Sequence, residues 1–370
     1  MAVPKQERLL SLDVFRGLTI AAMVLVNNQP SSSYAHPWLR HVAWDGWTIA
    51  DLVFPFFLFI VGVALPYSVD SQLGRGASHT SIVLKALRRA IVLFLIGLAL
   101  NGFPRYDLYH LRYFNVLQRI GVCYLVATVI ELKMRPRSQV LLSAAILIGY
   151  FVLLKFVPVP GGAAGVFQRE GSWVQYIDLQ LIAGHMQSPR FESKGLLSTV
   201  PALVTVLIGV WTGRRLKTAA PPMEKAADLY FYGTLGALVG CLWSLWVPII
   251  QGLWTSSLVL FMGGLALVVL ASCYYLVDIK QVRWWTPPLL VLGTNALSVW
   301  TFDWLLRVTL RTITVSPSPG QSVELRTYLW QQLSTWIGPS AGCMLFAVAD
   351  LLFWLAVMGV LYRKRIFIKI

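Results

Sequence analysis

Apolar stretches of about 20 residues recur from one end of this chain to the other, each long enough to cross a hydrocarbon core of roughly 30 Å as a helix. That repetition excludes most other folds. Only 13% of the 370 side chains are charged and 57% are hydrophobic, against roughly 25% charged in ordinary soluble domains. An outer-membrane barrel would read instead as ~10-residue alternating segments. The expected fold is therefore all-α, a polytopic helical membrane protein with about ten spans. They are placed near 14–30, 48–69, 84–103, 114–132, 139–157, 196–213, 228–248, 255–277, 287–306 and 340–361. No internal repeat, low-complexity tract or separate soluble domain interrupts them, so residues 1–370 read as one membrane domain.

A net charge of +15 would suggest nucleic acid for a soluble chain. Here the basic residues lie in short runs between apolar spans, which argues for topology and against a nucleic-acid partner. With the N-terminus cytoplasmic, the inner side receives Lys5, Arg8 and Arg16, then Arg75, Lys85, Arg88 and Arg89, then Lys133, Arg135 and Arg137. Arg214, Arg215, Lys217, Lys225, Lys280, Arg283, Arg363, Lys364, Arg365 and Lys369 join them. The positive-inside rule then places both termini in the cytoplasm. MAVPKQERLLSLDVFRG has no short apolar run with a small-residue cleavage site, so the N-terminus reads as retained. Cys123, Cys241, Cys273 and Cys343 lie in apolar stretches without Cys-x-x-Cys spacing and read as buried, inert thiols. Gly236 and Gly240 suit close helix packing, within one chain or across a homodimer; packing within one chain is the simpler expectation.

Three outer segments, about 31–47, 158–195 and 307–339, are too long to be mere turns, and long loops on a compact scaffold concentrate binding and chemistry. The third carries SPSPGQS and an amphipathic pattern from Glu324 to Ile337. Ionisable groups within spans are functional candidates because their burial is costly. Asp51, opening the second span in WTIADLVFPFF, could orient a histidine or receive a cation, or serve only as a helix N-terminal charge. Arg119 in NVLQRIGVCYLV could bind an anion or form a structural ion pair. Asp13 and Arg16 lie one helical turn apart and read as a helix-entry clamp.

Of the five histidines, His41 stands out, with Trp38 and Trp44 around it and Asp45 and Asp51 after it. A neutral imidazole is an efficient base near pH 7, and a carboxylate can fix its tautomer; the plainer reading is a polar surface group. Asn27 and Asn28 end the first span in MVLVNNQP. Asn27 could donate to the oxyanion of acyl transfer or make an interhelical hydrogen bond. No Walker loop, dinucleotide fingerprint, His-Glu-x-x-His or Gly-x-Ser-x-Gly occurs, and no metal is expected.

The blocks RLLSLDVFRGLTIAAMVLVNN, RHVAWDGWTIADLVFPFFLFIVGVAL and NVLQRIGVCYLVATVIEL, followed in order by GLLSTVPALVTVLIGVWTG, LWTSSLVL and LGTNALSVW, resemble the heparan-α-glucosaminide N-acetyltransferase family and its bacterial relatives. The resemblance implies a transmembrane acyltransferase that moves an acetyl group from cytoplasmic acetyl-CoA, its co-substrate, to an amino-sugar acceptor. It also implies lipid surroundings, expected to be a bacterial inner membrane. The family's active-site histidine matches His41, and its active-site asparagine matches Asn27. Arg16, Arg88, Arg89 and Arg119 are the candidate cofactor-binding cations. His41, oriented by Asp51, would take a proton from the attacking amine, or would itself carry the acetyl group as acetyl-histidine. Where the family has an Asp-Pro-Glu-Gly block, this chain has Glu192-Ser193-Lys194-Gly195. The rivals are a secondary transporter of a sugar or amino sugar, which broken helices and paired half-repeats would favour; an O-acetyltransferase of a glycan or lipid headgroup; and a structural subunit without chemistry.

Overall fold

The computed structural model describes residues 9–318 and 320–367; Lys5, Arg8 and Lys369, counted above among the inner charges, lie outside them. The chain is all-α. Helices α1 (Leu10–Asn27), α2 (Ile49–Leu73), α3 (His79–Gly102), α4 (Val116–Lys133) and α5 (Pro136–Phe156) come first, followed by the short α6 (Trp173–Ile182) in the second long outer segment. Then come α7 (Leu196–Lys217), α8 (Pro222–Trp243), α9 (Ser256–Cys273) with a π-helical extension (Tyr274–Ile279), α10 (Pro287–Thr294) and α11 (Ala296–Thr312). A two-residue antiparallel hairpin, Thr314–Val315 with Val323–Glu324, leads into α12 (Leu325–Ile337) and α13 (Pro339–Arg363). Among the described residues, six helices are long and apolar enough to cross a membrane: α1, α2, α5, α7, α9 with its extension, and α13. Helices α3, α4 and α8 have 24, 18 and 22 residues but are more polar.

One expected span departs from a straight rod. The segment 287–306 is split at Asn295, and α10 and α11 meet at a bend of 79°. Asn295 leaves helical geometry (φ −120°, ψ 37°), and its Nδ2 donates to the carbonyl of Ile366 at 3.2 Å. Just before the break, Gly293 lies so close to the carbonyl of Asp13 that a Cβ would fall 2.3 Å from its oxygen. The polar joint therefore lets α10 press on α1 while α11 turns away.

Close backbone-to-backbone contact recurs at several helix crossings. A Cβ on Gly62 of α2 would lie 2.0 Å from the carbonyl oxygen of Val206 on α7, and one on Gly209 would lie 2.2 Å from that of Phe59. Such small-residue seams pack helices where apolar burial alone gives no preference between protein and lipid. Gly240 of α8 meets the backbone of Phe261 on α9, so the Gly236/Gly240 pair packs within the chain. On the outward face of α8 lie Leu238 and Leu242, and with them Cys241, which is exposed. The expectation of four buried thiols fails there because α8 shows only its glycine face to α9.

The end of the bundle opposite residues 31–47, labelled inner after the topology expected from the sequence, is laced by ion pairs. Arg214 meets Glu131 at 2.7 Å, Arg215 meets both Asp228 and Glu224, and Lys217 meets Asp70. Arg16 pairs with Asp13 at 2.9 Å, the clamp expected from their spacing. At the outer end, α6 is held against the start of α7 by Asp178, which is fully buried and whose Oδ1 accepts from the Leu196 amide at 2.9 Å. Only glycine fits at 195, because a Cβ would lie 1.8 Å from Asp178 Oδ2. Burial, with Glu192 nearby, pushes the Asp178 carboxyl up to about 7.

Three outcomes follow for stability. Gly62→Leu forces α2 off α7 and costs about 1–3 kcal/mol by overpacking, read as a lowered Tm in detergent. Gly359→Ala, where nothing lies within 4 Å of the new Cβ, leaves Tm unchanged or slightly raised. Because the folded-state pKa of Asp178 is raised, its protonated form favours the fold, and that contribution is lost as pH rises from about 4 through about 7. Asp178→Asn should therefore flatten the fall in Tm between pH 5 and 8; an unchanged profile would contradict this assignment.

Candidate active site

The outer site is built on the first turn of α2. Thr48 is its N-cap residue, and three positions on, Asp51 turns its carboxylate back over the helix start, where the helix dipole favours negative charge. Asp51 Oδ2 accepts from the amides of Thr48 (3.0 Å) and Val42 (3.2 Å), while Oδ1 lies 2.7 Å from His41 Nδ1. The two readings of Asp51, helix-entry charge and histidine partner, are thus both realised, one on each oxygen. Pro55 lacks the amide that would bond the Asp51 carbonyl within the helix. Gln251 supplies the missing donor through Nε2 at 3.0 Å, which ties the α8–α9 loop to the same residue.

Asp51 is almost fully buried, at 2% side-chain exposure, whereas His41 is 55% exposed. With the carboxylate accepting at Nδ1, the ring proton is held there and Nε2 presents its lone pair. The pair lines a cavity of about 360 Å³ together with Trp44, Arg169, Lys194 and Gln251. Trp44 is fixed by an Nε1 bond to the Phe167 carbonyl at 2.7 Å and packs edge-on against Phe191. Arg169 lies over the same indole at 5.2 Å and donates to the Ala43 carbonyl at 2.8 Å. The departing block 192–195 forms one wall. Fully buried Glu192 takes a two-pronged bond from Arg112 (Nε to Oε2, 2.8 Å; Nη2 to Oε1, 2.5 Å), and Lys194 Nζ reaches the Ser193 hydroxyl at 3.0 Å. Burial and the charges of Arg112 and Arg119 bring the Lys194 ammonium down to about 8.

A second cavity, of about 400 Å³, runs along α2 towards the inner end. It is lined by Phe57, Ile60, Val61, Ala64, Leu65 and Ser68, one helical stripe about 16 Å long at 1.5 Å per residue. Arg16 and Arg89 line it as well, Arg89 with its guanidinium 4.8 Å from the Tyr124 ring. The break between α10 and α11 opens on it through Gly293, Thr294 and Ala296, consistent with irregular backbone at membrane depth lining a cavity. Arg88 is exposed and lines neither cavity.

Phe54 lies on α2 between the residues that line the two cavities, and near its ring Arg119 is fully buried, lining neither cavity. Its guanidinium lies 5.0 Å from the Trp254 ring and 5.8 Å from that of Phe54, and Nη2 donates to the Ser198 hydroxyl and to the Gly195 carbonyl. Among the described residues no acid pairs with it, and Nε and Nη1 have no hydrogen-bond partner. The Asn27 carbonyl accepts from Arg307 and Arg326, both at 3.3 Å, in a buried network where Asn28 Nδ2 donates to Asp303 at 2.6 Å. Among the described residues no hydrogen bond joins Asn27 to His41, and Asn27 lines neither cavity. No three His, Cys, Asp or Glu side chains cluster as a metal site among the described residues.

Arg112, Arg169 and Gln251 were not legible as site residues, because each comes from a different loop. Lys194 was marked only as a departure from a family block.

The model of the family "heparan-alpha-glucosaminide N-acetyltransferase, catalytic" matches residues 8–239. Heparan-alpha-glucosaminide N-acetyltransferase of Mus musculus is 29% identical over 79% of this chain and 53% of its own length. The Homo sapiens protein of the same name is 28% identical over 98% of this chain and 60% of its own length. The chain thus spans between half and two thirds of these relatives. The matched segment runs from α1 into α8 and contains His41, Asp51 and Arg119, and on this evidence the chain belongs to the heparan-α-glucosaminide N-acetyltransferase catalytic family.

Proposed function

We propose that this chain transfers an acetyl group from acetyl-CoA to the amine of a glucosamine-type sugar held in the outer cavity. The carrying observation is the His41–Asp51 pair, set in a polar cavity, with a second, apolar cavity farther along α2 that has arginines among its lining. The inner cavity suits the acyl-pantetheine arm: its walls are apolar, with the hydroxyls of Ser68 and Thr294, and Arg16 and Arg89 would face the phosphates. Acetyl-CoA supplies an activated acyl carbon. His41 Nε2 takes the proton as the acceptor nitrogen bonds to that carbon; the carbon–sulfur bond breaks, and the proton passes on to the thiolate that leaves. Asp51 keeps the imidazole in the required tautomer and steadies the imidazolium. Arg119, whose Nε and Nη1 make no hydrogen bond among the described residues, would meet the thioester. Asn27 keeps its role as oxyanion donor on the family resemblance alone.

This reading includes ten membrane crossings, with α10 and α11 as one bent span, and both termini on the cytoplasmic side of a bacterial inner membrane. The basic inner end, with its ion-paired arginines, supports that orientation. The broken span is the one feature that favours a transporter. Among the described residues it is the single such bent pair, and its break borders the cavity assigned to acetyl-CoA.

Purified protein given radiolabelled acetyl-CoA and glucosamine should form labelled N-acetylglucosamine. His41→Ala should abolish the product while retaining CoA binding, and Asp51→Asn should lower kcat by roughly 10²-fold or more. Full turnover by His41→Ala would refute the assignment, and an ester product labile to hydroxylamine would move it to O-acetylation.

A further inference from the structure

Among the described residues, no carboxylate forms an ion pair with the Lys194 ammonium. Its Nζ faces the cavity shared with His41, and its one side-chain hydrogen bond is to a neutral hydroxyl, that of Ser193. The carboxylates close enough to pair with it are spoken for. Glu192 is held by both prongs of Arg112 and by the amides of Gln187 (2.8 Å) and Lys194 itself (2.9 Å). Asp51 is filled by His41 and the α2 N-cap. Arg169, on the same cavity, makes its bond to a carbonyl and stacks on Trp44, and it has no acidic partner among the described residues. Behind the wall lie two more cations, Arg112 and Arg119. A polar cavity lined by two cations and one carboxylate already in use holds an excess of positive potential, and a half-buried ammonium kept without a counter-ion is costly unless a ligand supplies one.

We propose that the outer cavity is built for an amino sugar bearing an anionic substituent, a phosphate, sulfate or carboxylate, that pairs with Lys194 and is flanked by Arg169. The inference rests on reading this cavity as the acceptor site and specifies the acceptor class. It accounts for the Glu192-Ser193-Lys194-Gly195 block: the acid retained there holds Arg112, and the cation gained there faces the ligand. Charge-assisted pairing at this position fixes the ring as well as attracting it, so that the amine is presented to His41 in one orientation.

Equilibrium binding decides this independently of turnover. Full-length protein in detergent is titrated with glucosamine 6-phosphate and with glucosamine, and inorganic phosphate alone serves as a control for charge without the ring. The expected result is an affinity for the phosphorylated sugar at least about tenfold above that for glucosamine. In Lys194→Gln the ratio of the two affinities should collapse towards one, and Lys194→Arg should restore most of it. Arg169→Gln, on the exposed rim, should reduce the ratio in part and provides the reading if Lys194→Gln fails to fold. Equal affinities in the wild type, or a ratio unchanged in the variants, would overturn the proposal. Acetylation is followed in the same samples. Selective binding without product formation would support the anion subsite while removing the acetyltransferase reading; product formation without selectivity would do the reverse.

Discussion

Asp51 joins three parts of this molecule. One carboxylate oxygen closes the first turn of α2, the other holds His41, and its backbone carbonyl, released by Pro55, anchors the α8–α9 loop through Gln251. A helix start is a natural seat for a carboxylate because unpaired amides and the helix dipole both favour negative charge. The fold thereby places a fixed acceptor for an imidazole proton at the outer end of its most buried long helix, without a dedicated scaffold. The long segment 31–47 is then anchored where it matters, at Val42 and His41, and the aromatic wall of Trp44 and Phe191 follows from that anchoring.

The same helix contributes to the lining of both cavities. Its stripe from Phe57 to Ser68 lines the inner cavity, Asp51 stands at the outer one, and Phe54 lies between them, with Arg119 held over its ring and that of Trp254. A guanidinium buried among aromatic faces with spare N–H donors is stable only because the rings and the Gly195 and Ser198 oxygens share its burial cost. That leaves a buried cation beside the stretch of α2 that parts the lining of the apolar cavity from that of the polar one. Two such cavities suit a reaction whose two substrates differ as widely in chemistry as a thioester and an amino sugar. The glycine seam between α2 and α7 holds this stretch of α2 close to the oxygen partners of Arg119, since Gly195 and Ser198 begin the helix that carries Gly209.

Much of this was legible in the chain itself. Long apolar runs place the helices to within a few residues, and the Asp13–Arg16 spacing foretells the clamp. The surroundings of His41 named its partner as well, because Asp51 opens a helix directly after it. Other features were hidden for physical reasons. The break at Asn295 lies within a run whose average apolarity masks a single polar joint. Cys241 shares the apolar signature of the buried cysteines, but which face of α8 meets protein depends on glycines on the opposite side. Lys194, Arg112 and Arg169 converge only after three loops have folded over the end of the bundle, and no local pattern records such a meeting. Arg119 was visible as a costly charge, although its partners turn out to be rings and neutral oxygens in place of an acid.

The central claim is that the two cavities lined by α2, with Arg119 beside the stretch between them, serve one reaction. Sealed proteoliposomes with the protein in a single orientation test it directly, with acetyl-CoA supplied on one face and the amino sugar on the other. The account predicts acetylated sugar only when acetyl-CoA is on the face of the basic inner end and the acceptor is on the face of His41. Equal product with both substrates confined to one face would contradict it.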